Sequence, residues 1–287
     1  MRVIRILAPN PGIRELDGTN TWVVGVPPAI VIDPGPDIPE HLREVVRTAG
    51  HIGAIALTHD HPDHAPGAAR LASWSGARVF AARPADAMEQ LADGATVEAG
   101  GVSLEVVATP GHSPDHLAFF EQGMGALFTG DAVLGRGTSV VDPPEGDLVA
   151  YLRSLRRMLE LRPRTIYPGH GPVALNAAAK LEEYLEHRAM REEQVLSALA
   201  TGPRTPGEMV GEIYEGYPPE VLALAERSVL AHLLKLESEG RVDRRTRNGE
   251  ERWSGIEPRR CARCGRPVRG RARLCSACSL AVLQESS

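Results

Sequence analysis

Short apolar runs rich in β-branched residues alternate with amphipathic stretches over residues 1–175. The runs are RVIRIL, TWVVGV, AIVIDPG, IGAIALTH, ARVFAA, VSLEVVATPGH, ALFTGD and TIYPGH. Each is typical of a β-strand, and most end in Gly, Pro, His or Asp, which mark turns and functional loops. The amphipathic stretches predict helices over about 38–49, 65–75, 84–92 and 147–161. Interleaved strands and helices indicate a layered α/β body.

Longer amphipathic helices follow Pro172, so we place a second domain over residues 176–256. Two short helices, a long helix and a hairpin that turns at RNGE predict a winged-helix-like fold within it, over about 193–256. A helical lid or a dimerisation arm is the alternative interpretation of these helices.

The length and composition are those of a globular chain with one large domain and a smaller appendage. With 287 residues, 43% of them hydrophobic, the chain can bury a sizeable core. No apolar run reaches the ~18 residues of a membrane span, and the start MRVIRILAPNPG has too short an apolar stretch for a signal peptide. We therefore expect a soluble cytoplasmic protein without a membrane partner. The oligomeric state stays open, with a dimer among the options.

All four cysteines lie in the last segment, residues 257–287, which predicts a small zinc-ribbon-like tail. Cys261, Cys264, Cys275 and Cys278 are spaced as C-x2-C-x10-C-x2-C. So short a segment has too little core to fold alone, and one structural Zn²⁺ held by four thiolates would supply the missing free energy. Unliganded or redox-active thiols are the alternative. Because the body has no cysteine, no disulfide can staple it, which fits a reducing compartment.

Charge is divided unevenly along the chain, although the net charge is only −5. Residues 241–287 hold 12 arginines and five acidic residues, whereas the rest holds 20 basic and 32 acidic residues. A basic tail on an acidic body can favour nucleic acid, and it is also compatible with a solvated arm.

Six of the ten histidines stand where predicted strands end, beside Gly, Pro or Asp. Together with nearby aspartates, the residues at these strand ends are His59, His61, Asp63, His64, His112, His116, Asp131 and His170. Imidazole nitrogen mixed with carboxylate oxygen suits Zn²⁺ first, and Fe or Mn second. Because each ligand type has a matching neighbour, the pattern predicts two metals held side by side. The other four histidines lie in ordinary helical or connecting sequence and are expected to be structural or solvated.

The motifs THDHPDH, TPGH, TGD and YPGHG resemble those of the metallo-β-lactamase superfamily, whose T-H-x-H-x-D-H signature precedes a binuclear site in an αββα sandwich. The resemblance extends over the whole body, including GTNTWVVG and VIDPGP. It implies two groups of zinc ligands with Asp131 bridging them: His59, His61 and His112 for one ion, and Asp63, His64 and His170 for the other.

Departures from related families also inform the function. Flavodiiron relatives have a carboxylate at the position of His61 and an added flavodoxin domain, and this chain has neither. Hydrolysis is therefore favoured over redox chemistry. Asp33, in VIDPG, is expected to orient a ligand histidine rather than to bind metal.

Asp63 and His116 are the candidates for catalytic roles. Asp63 can accept a hydrogen bond from the attacking water and so orient it. His116 completes neither ligand set, so it is a candidate for contacting the substrate or protonating the leaving group. A role in orienting another ligand is the alternative for His116. Asn20, Thr138 and Ser139 lie in loops that could approach the site, and they are weaker candidates.

The C-terminal half of the chain sharpens the predicted function. From YPGHGPVALNAAAKLEEYLEHRAMREEQVL to LLKLESEGRV it resembles the β-lactamase-like protein two group, endoribonucleases that carry a winged-helix-like domain and cleave single-stranded RNA. The predicted function is therefore a binuclear zinc-dependent endoribonuclease. Only 4% of the residues are aromatic, which is few for a base-stacking platform. A thioesterase resembling glyoxalase II, acting on small thioesters or esters, is one alternative, and a non-enzymatic nucleic-acid-binding scaffold is another.

Overall fold

The computed structural model describes residues 1–85, 88–247, 249–256, 259–260, 263–264 and 267–268. The chain divides into two units, Met1–His187 and Arg188–Ser287. The domain limits predicted at residues 175 and 256 stay predictions.

Two β-sheets form the centre of the first unit. The first sheet has six strands in chain order: β1 (Val3–Leu7), β2 (Asn20–Val24), β3 (Ala29–Ile32), β4 (Ile52–Ala56), β5 (Arg78–Ala81) and β6 (Met88–Gln90). The second has five strands, which run across the sheet as β11 (Thr165–Pro168), β10 (Ala126–Gly130), β9 (Leu117–Glu121), β8 (Val102–Ala108) and β7 (Thr96–Ala99). The helices between these strands are α1 (Pro39–Ala49), α2 (Gly67–Ser75) and α3 (Leu148–Glu160).

Alternation along each strand separates the core between the sheets from the core under the helices. In β2, Trp22 and Val24 belong to the cluster that also holds Phe128 of the second sheet. Val23 belongs to the other cluster, with Leu71 of α2. This two-residue period is the one that a pleated strand imposes on its side chains.

Helix α3 covers the second sheet, which completes the predicted αββα sandwich. Its Ser154 hydroxyl donates to the Pro110 carbonyl at 2.8 Å, and its Arg157 guanidinium donates to the Ala108 carbonyl at 3.3 Å. Because helices cover the outer faces, β2, β3 and β10 are buried along their whole length.

The helix predicted over residues 84–92 is wrong, whereas α1, α2 and α3 confirm the other three. Residues 88–90 form β6, which pairs parallel with β5. The next residue, Leu91, donates its N–H to the Ala81 carbonyl at 2.8 Å and buries its side chain in the core between the sheets. Pairing at the sheet edge and burial of one leucine outweigh a short helical period, because local preference is a weak determinant of structure.

The second unit confirms the predicted winged-helix-like fold. Helix α4 (Ala177–Leu199) runs across the division between the units and is followed by α5 (Pro206–Ile213), α6 (Pro219–Ser238) and the hairpin of β12 (Val242–Arg247) and β13 (Glu250–Gly255). Its core includes Val195, Met209, Leu233, Leu236 and Trp253. A short antiparallel pair, β14 (Arg259–Arg260) and β15 (Pro267–Val268), follows.

Local signals in the sequence account for the boundaries of these elements. Thr205 and Glu208 form a reciprocal capping box that starts α5. At the RNGE turn the register pairs Arg247 with Glu250, and Gly249 has a φ of 80°, which glycine adopts without strain. Residue 204 also bridges to Trp253, so the segment before α5 lies beside the hairpin.

Most of the four-cysteine tail lies outside the described residues. This applies to Cys261, Cys275 and Cys278, whereas Cys264 is described and exposed. The zinc-ribbon-like tail therefore stays a prediction. Over the described part of the chain, no helix is both long and apolar enough to cross a membrane.

Trp253→Ala should destabilise the second unit by ~3–5 kcal/mol, because the side chain is fully buried in its core. Urea unfolding followed by circular dichroism and by hydrogen exchange of α5 and α6 measures the change. Met190→Ala is the control, since Met190 is 47% exposed, and it should cost no more than ~0.5 kcal/mol. A loss below ~1 kcal/mol in Trp253→Ala would contradict the packing described.

Candidate metal centre

Seven of the predicted site residues follow directly from the ends of four strands. His59, His61, Asp63 and His64 follow β4, His112 follows β8, Asp131 follows β10 and His170 follows β11. The structure brings these side chains into two adjacent groups. Within each group the potential ligand atoms lie within 4.8 Å of one another.

The first group holds His59, His61 and His112. The Nδ1 atom of His112 donates to the Val140 carbonyl at 2.8 Å, so its Nε2 carries a lone pair, which lies 3.2 Å from Nδ1 of His61. The His59 Nε2 atom is buried and has no hydrogen-bond partner among the described residues. A buried nitrogen without a partner is costly unless a cation occupies the site.

The second group holds Asp63, His64, Asp131 and His170. Both imidazoles use Nδ1 as a donor, His64 to Asp33 at 2.9 Å and His170 to the Gly18 carbonyl at 3.1 Å. Their Nε2 atoms therefore face each other, 3.2 Å apart. The carboxylate oxygens of Asp63 and Asp131 lie 3.1 to 3.3 Å from these nitrogens.

This spacing fits a small divalent cation. Four ligands ~2.0–2.1 Å from a tetrahedral Zn²⁺ stand roughly 3.3 Å apart, close to the distances in the second group. Asp131 reaches both groups, since its Oδ2 lies 3.7 Å from Nε2 of His112 and its Oδ1 lies 3.2 Å from Nε2 of His170. The donor set therefore fits two neighbouring metals with Asp131 between them.

Electrostatics in the second group demand positive charge. Burial acts to lower the pKa of His170, but Asp131 and Asp63 outweigh it and raise that pKa to about 10. The pKa of His64 is also raised well above its usual value, because Asp131 and Asp33 outweigh burial. In the first group, burial foremost and the neighbouring His64 lower the pKa of His59 well below its usual value. Protons on His64 and His170 balance the negative charge of the carboxylates in the second group. A bound cation would replace those protons.

Asp33 orients a predicted ligand directly, as the sequence indicates, and a second one through Thr58. Its carboxylate accepts from the Thr58 N–H at 2.8 Å, from the Thr58 hydroxyl at 2.7 Å and from His64 at 2.9 Å. Since the Thr58 hydroxyl donates to Asp33, it accepts from Nδ1 of His59 at 2.9 Å. One carboxylate thus fixes the orientation of both rings. Asp33 has a φ of 47°, a conformation that aspartate tolerates better than most residues.

The contacts of His116 fit a role in orienting a neighbouring residue. The ring is 1% exposed, and its Nε2 accepts from the Asp131 N–H at 3.1 Å. Its Nδ1 therefore carries the proton, and it lies 2.8 Å from the Thr109 hydroxyl. Burial, followed by the effect of His112, lowers the pKa of His116 well below its usual value. A neutral ring with both nitrogens engaged holds the backbone at Asp131, which fits the alternative role in orienting another ligand, and the predicted contact with substrate stays a prediction.

Two of the weaker loop candidates contact a predicted ligand or the backbone beside one. Asn20 is buried, and its amide donates to the carbonyls of Pro168 and Gly171 on either side of His170. Ser139 is buried 3.3 Å from Nδ1 of His112. Thr138 is half-buried.

Two residues near the ligands escaped the sequence reasoning. The Thr19 hydroxyl donates to Asp63 at 3.3 Å, and Glu145 lies 3.8 Å from Nε2 of His61. Thr19 stands in the GTNT segment, next to Asn20. Its place beside that candidate is the only signal for it in the sequence. Glu145 follows two prolines in a loop, and no pattern in the sequence marks it.

A glycine before His170 lets the strands come close. A Cβ atom at Gly169 would lie 2.5 Å from Oδ1 of Asp131 and 2.8 Å from Cε1 of His64. Any side chain there would collide with the second group, so the PGHG segment needs glycine at this position.

Comparison with known proteins agrees with this architecture. Residues 14–170 match the profile of the Metallo-beta-lactamase superfamily, and residues 205–253 match that of the Beta-lactamase associated winged helix domain. The lactamase-like protein vrtG of Penicillium aethiopicum is 37% identical over 276 residues, which cover 89% of this chain and 88% of that protein.

Two further relatives extend the similarity over nearly the whole chain. The beta-lactamase-like protein 2 homolog of Drosophila melanogaster is 34% identical over 281 residues, 89% of this chain and 94% of that protein. A crystal structure of the metallo-beta-lactamase family protein TTHA1429 from Thermus thermophilus superposes with a TM-score of 0.75 at 25% identity, covering 88% of this chain and 98% of that one. From the sandwich, the two groups of metal-binding side chains and these matches, the chain belongs to the metallo-β-lactamase superfamily as a hydrolase with a C-terminal β-lactamase-associated winged helix domain.

Proposed function

We propose that the protein is a binuclear zinc-dependent phosphodiesterase that cleaves single-stranded RNA. The observation that carries the proposal is the pair of adjacent donor groups with Asp131 between them. In this proposal one ion is held by His59, His61 and His112, the second by Asp63, His64 and His170, and both by Asp131. Two zinc ions held there would supply a nucleophilic water of lowered pKa and positive charge beside the electrophile.

Asp63 is the residue best placed to orient the attacking water. Its side chain is 20% exposed, so one carboxylate can face both the second metal group and the solvent. Although burial acts to raise the pKa of Asp63, hydrogen bonds with His170 and His64 outweigh it and hold that pKa well below its usual value. The lowered pKa favours the ionised carboxylate, which can accept a hydrogen bond from the attacking water.

The case for RNA as substrate comes from the whole chain rather than from the metal groups. Two metals arranged in this way can promote the attack of water on phosphorus or on carbonyl carbon. Similarity to the beta-lactamase-like protein 2 homolog covers 89% of this chain, and the match to a winged helix domain covers residues 205–253. The resemblance to single-strand endoribonucleases that the sequence motifs carry, together with the arginine-rich tail, favours an RNA phosphodiester.

Hydrolysis of small thioesters or esters is the second candidate, and two exposed apolar residues favour it. Ile13, in the segment before β2, is 53% exposed, and Leu175, five residues after His170, is 82% exposed. Apolar side chains in loops that adjoin predicted ligands suit an acyl group better than a phosphate backbone.

A third metal ion is proposed for the four-cysteine tail. We infer a structural zinc bound by Cys261, Cys264, Cys275 and Cys278, supported by the spacing of the four thiols and by the small size of the segment.

Metal binding should release at least one proton at pH 7. The raised pKa values of His64 and His170 keep them protonated in the metal-free protein, and a ligand nitrogen must lose its proton. Zinc affinity should therefore rise with pH until His170 titrates, at about 10. Calorimetry in two buffers of different ionisation enthalpy counts the protons. His51→Gln, at an exposed histidine, should leave the count unchanged. Binding without proton release would contradict this charge state.

Asp131→Ala should abolish cleavage of an end-labelled, unstructured RNA by the zinc-loaded protein. Loss of an outer hydrogen-bond partner costs ~10–100-fold, so loss of a bridging ligand should cost at least about 100-fold. Zinc content, measured by mass spectrometry, should fall with it. Asp37→Ala removes a surface carboxylate that pairs with Arg70, and it should retain full activity.

S-lactoylglutathione, run in parallel, separates the two candidate functions. RNA fragments that depend on Asp131 would support the phosphodiesterase. Turnover of the thioester with RNA left intact would refute it in favour of the thioesterase.

A further inference from the structure

Two loops of the first unit border the metal centre. The β1–β2 loop, residues 8–19, contacts the second metal group. In this loop the Gly18 carbonyl accepts from His170 at 3.1 Å, and the Thr19 hydroxyl donates to Asp63 at 3.3 Å. Backbone hydrogen bonds from Gly12 to Leu16 and from Gly18 to Glu15 define its path.

The β10–α3 loop, residues 131–147, contacts both metal groups. Its Val140 carbonyl accepts from His112 at 2.8 Å, and its Gly135 N–H donates to the His170 carbonyl at 2.9 Å. Both loops are therefore anchored to predicted ligands.

Each of these loops carries one arginine that pairs with a carboxylate of the other loop. Arg14 of the β1–β2 loop lies 3.9 Å from Asp142 of the β10–α3 loop. In the reverse direction, Arg136 lies 3.4 Å from Asp17. Both guanidinium groups thus stand where these two loops meet.

These two ion pairs are too exposed to hold the two loops together strongly. The side chains of Arg14 and Arg136 are 55% and 61% exposed, and those of Asp142 and Asp17 are 35% and 64% exposed. Ion pairs in such positions contribute ~0–1 kcal/mol, so another anion can replace the carboxylate at little cost. A phosphate is such an anion, because the planar guanidinium binds it through two parallel hydrogen bonds.

We propose that Arg14 and Arg136 form a clamp for the backbone phosphates on either side of the scissile bond, exchanging Asp142 and Asp17 for the substrate. The clamp rests on the proposed RNA phosphodiesterase function and assigns the recognition of its polyanionic substrate to this site. Both arginines lie a few residues from groups that contact the predicted ligands, but outside the metal-binding motifs. The clamp gives them a function.

Steady-state cleavage of an unstructured RNA by the zinc-loaded protein tests the clamp. Arg14→Ala and Arg136→Ala should each raise KM about 5- to 10-fold with kcat within about twofold, and each should lower the slope of log KM against log salt by about one. Hydrolysis of bis(4-nitrophenyl) phosphate, which has no flanking phosphates, should be unchanged in both variants. Arg43→Ala, at a surface arginine that pairs with Glu40 within α1, should match the wild type.

Asp17→Asn and Asp142→Asn are the matched controls, because they break the same ion pairs and keep the arginines. Both should leave KM for RNA unchanged or lower it. Equal losses in the aspartate and arginine variants, or equal losses on the small diester, would overturn the clamp in favour of loop positioning. Unchanged KM and salt slope in the arginine variants of an RNA-cleaving protein would also overturn it. If the wild type leaves RNA intact, the proposed function itself fails and the clamp with it.

Discussion

Mutual repulsion among buried electron pairs is the constraint on which this structure depends. Behind each ring, a hydrogen bond fixes which nitrogen carries the proton: Asp33 for His64, the Gly18 carbonyl for His170 and the Val140 carbonyl for His112. The remaining nitrogens point at one another and at two carboxylates. Such a cluster is unfavourable in a low-dielectric interior unless positive charge occupies it. Protons on His64 and His170 meet that demand in part, and divalent metals meet it in full.

The αββα sandwich brings the predicted ligands together. Strands of both sheets end at the metal centre, so ligands far apart in the chain arrive on rigid supports. The close approach of β10 and β11 depends on Gly169, and the backbone at Asp131 is held by His116, which is itself fixed by Thr109. Asp131, the predicted bridging residue, is consequently positioned by its strand and by a buried ring.

Charge is arranged differently in the second unit. Three hairpin arginines are engaged by acids: Arg244 with Glu237 and Glu251, Arg245 with Asp243, and Arg252 with Glu208 and Glu250. Arg244 and Arg252 each contact two carboxylates, whereas the ion pairs described for Arg14 and Arg136 involve one carboxylate each. The proposed recognition of an RNA substrate therefore rests on the loops and the basic tail rather than on the hairpin.

Strand alternation and helical periodicity are local properties of the chain, so the layered α/β body and the winged-helix-like unit could be predicted from the sequence. The sequence also supplied the seven predicted ligands, through strand-end motifs and the family resemblance that they carry, and the structure brings these side chains together. The sequence misassigned residues 84–92, where a helical period is weaker than pairing at a sheet edge and burial of Leu91. It also left two roles open for His116, although the family resemblance placed the nearby His112 among the ligands. The contacts that distinguish the two rings come from residues that only the fold brings close, Val140 for His112 and Asp131 for His116.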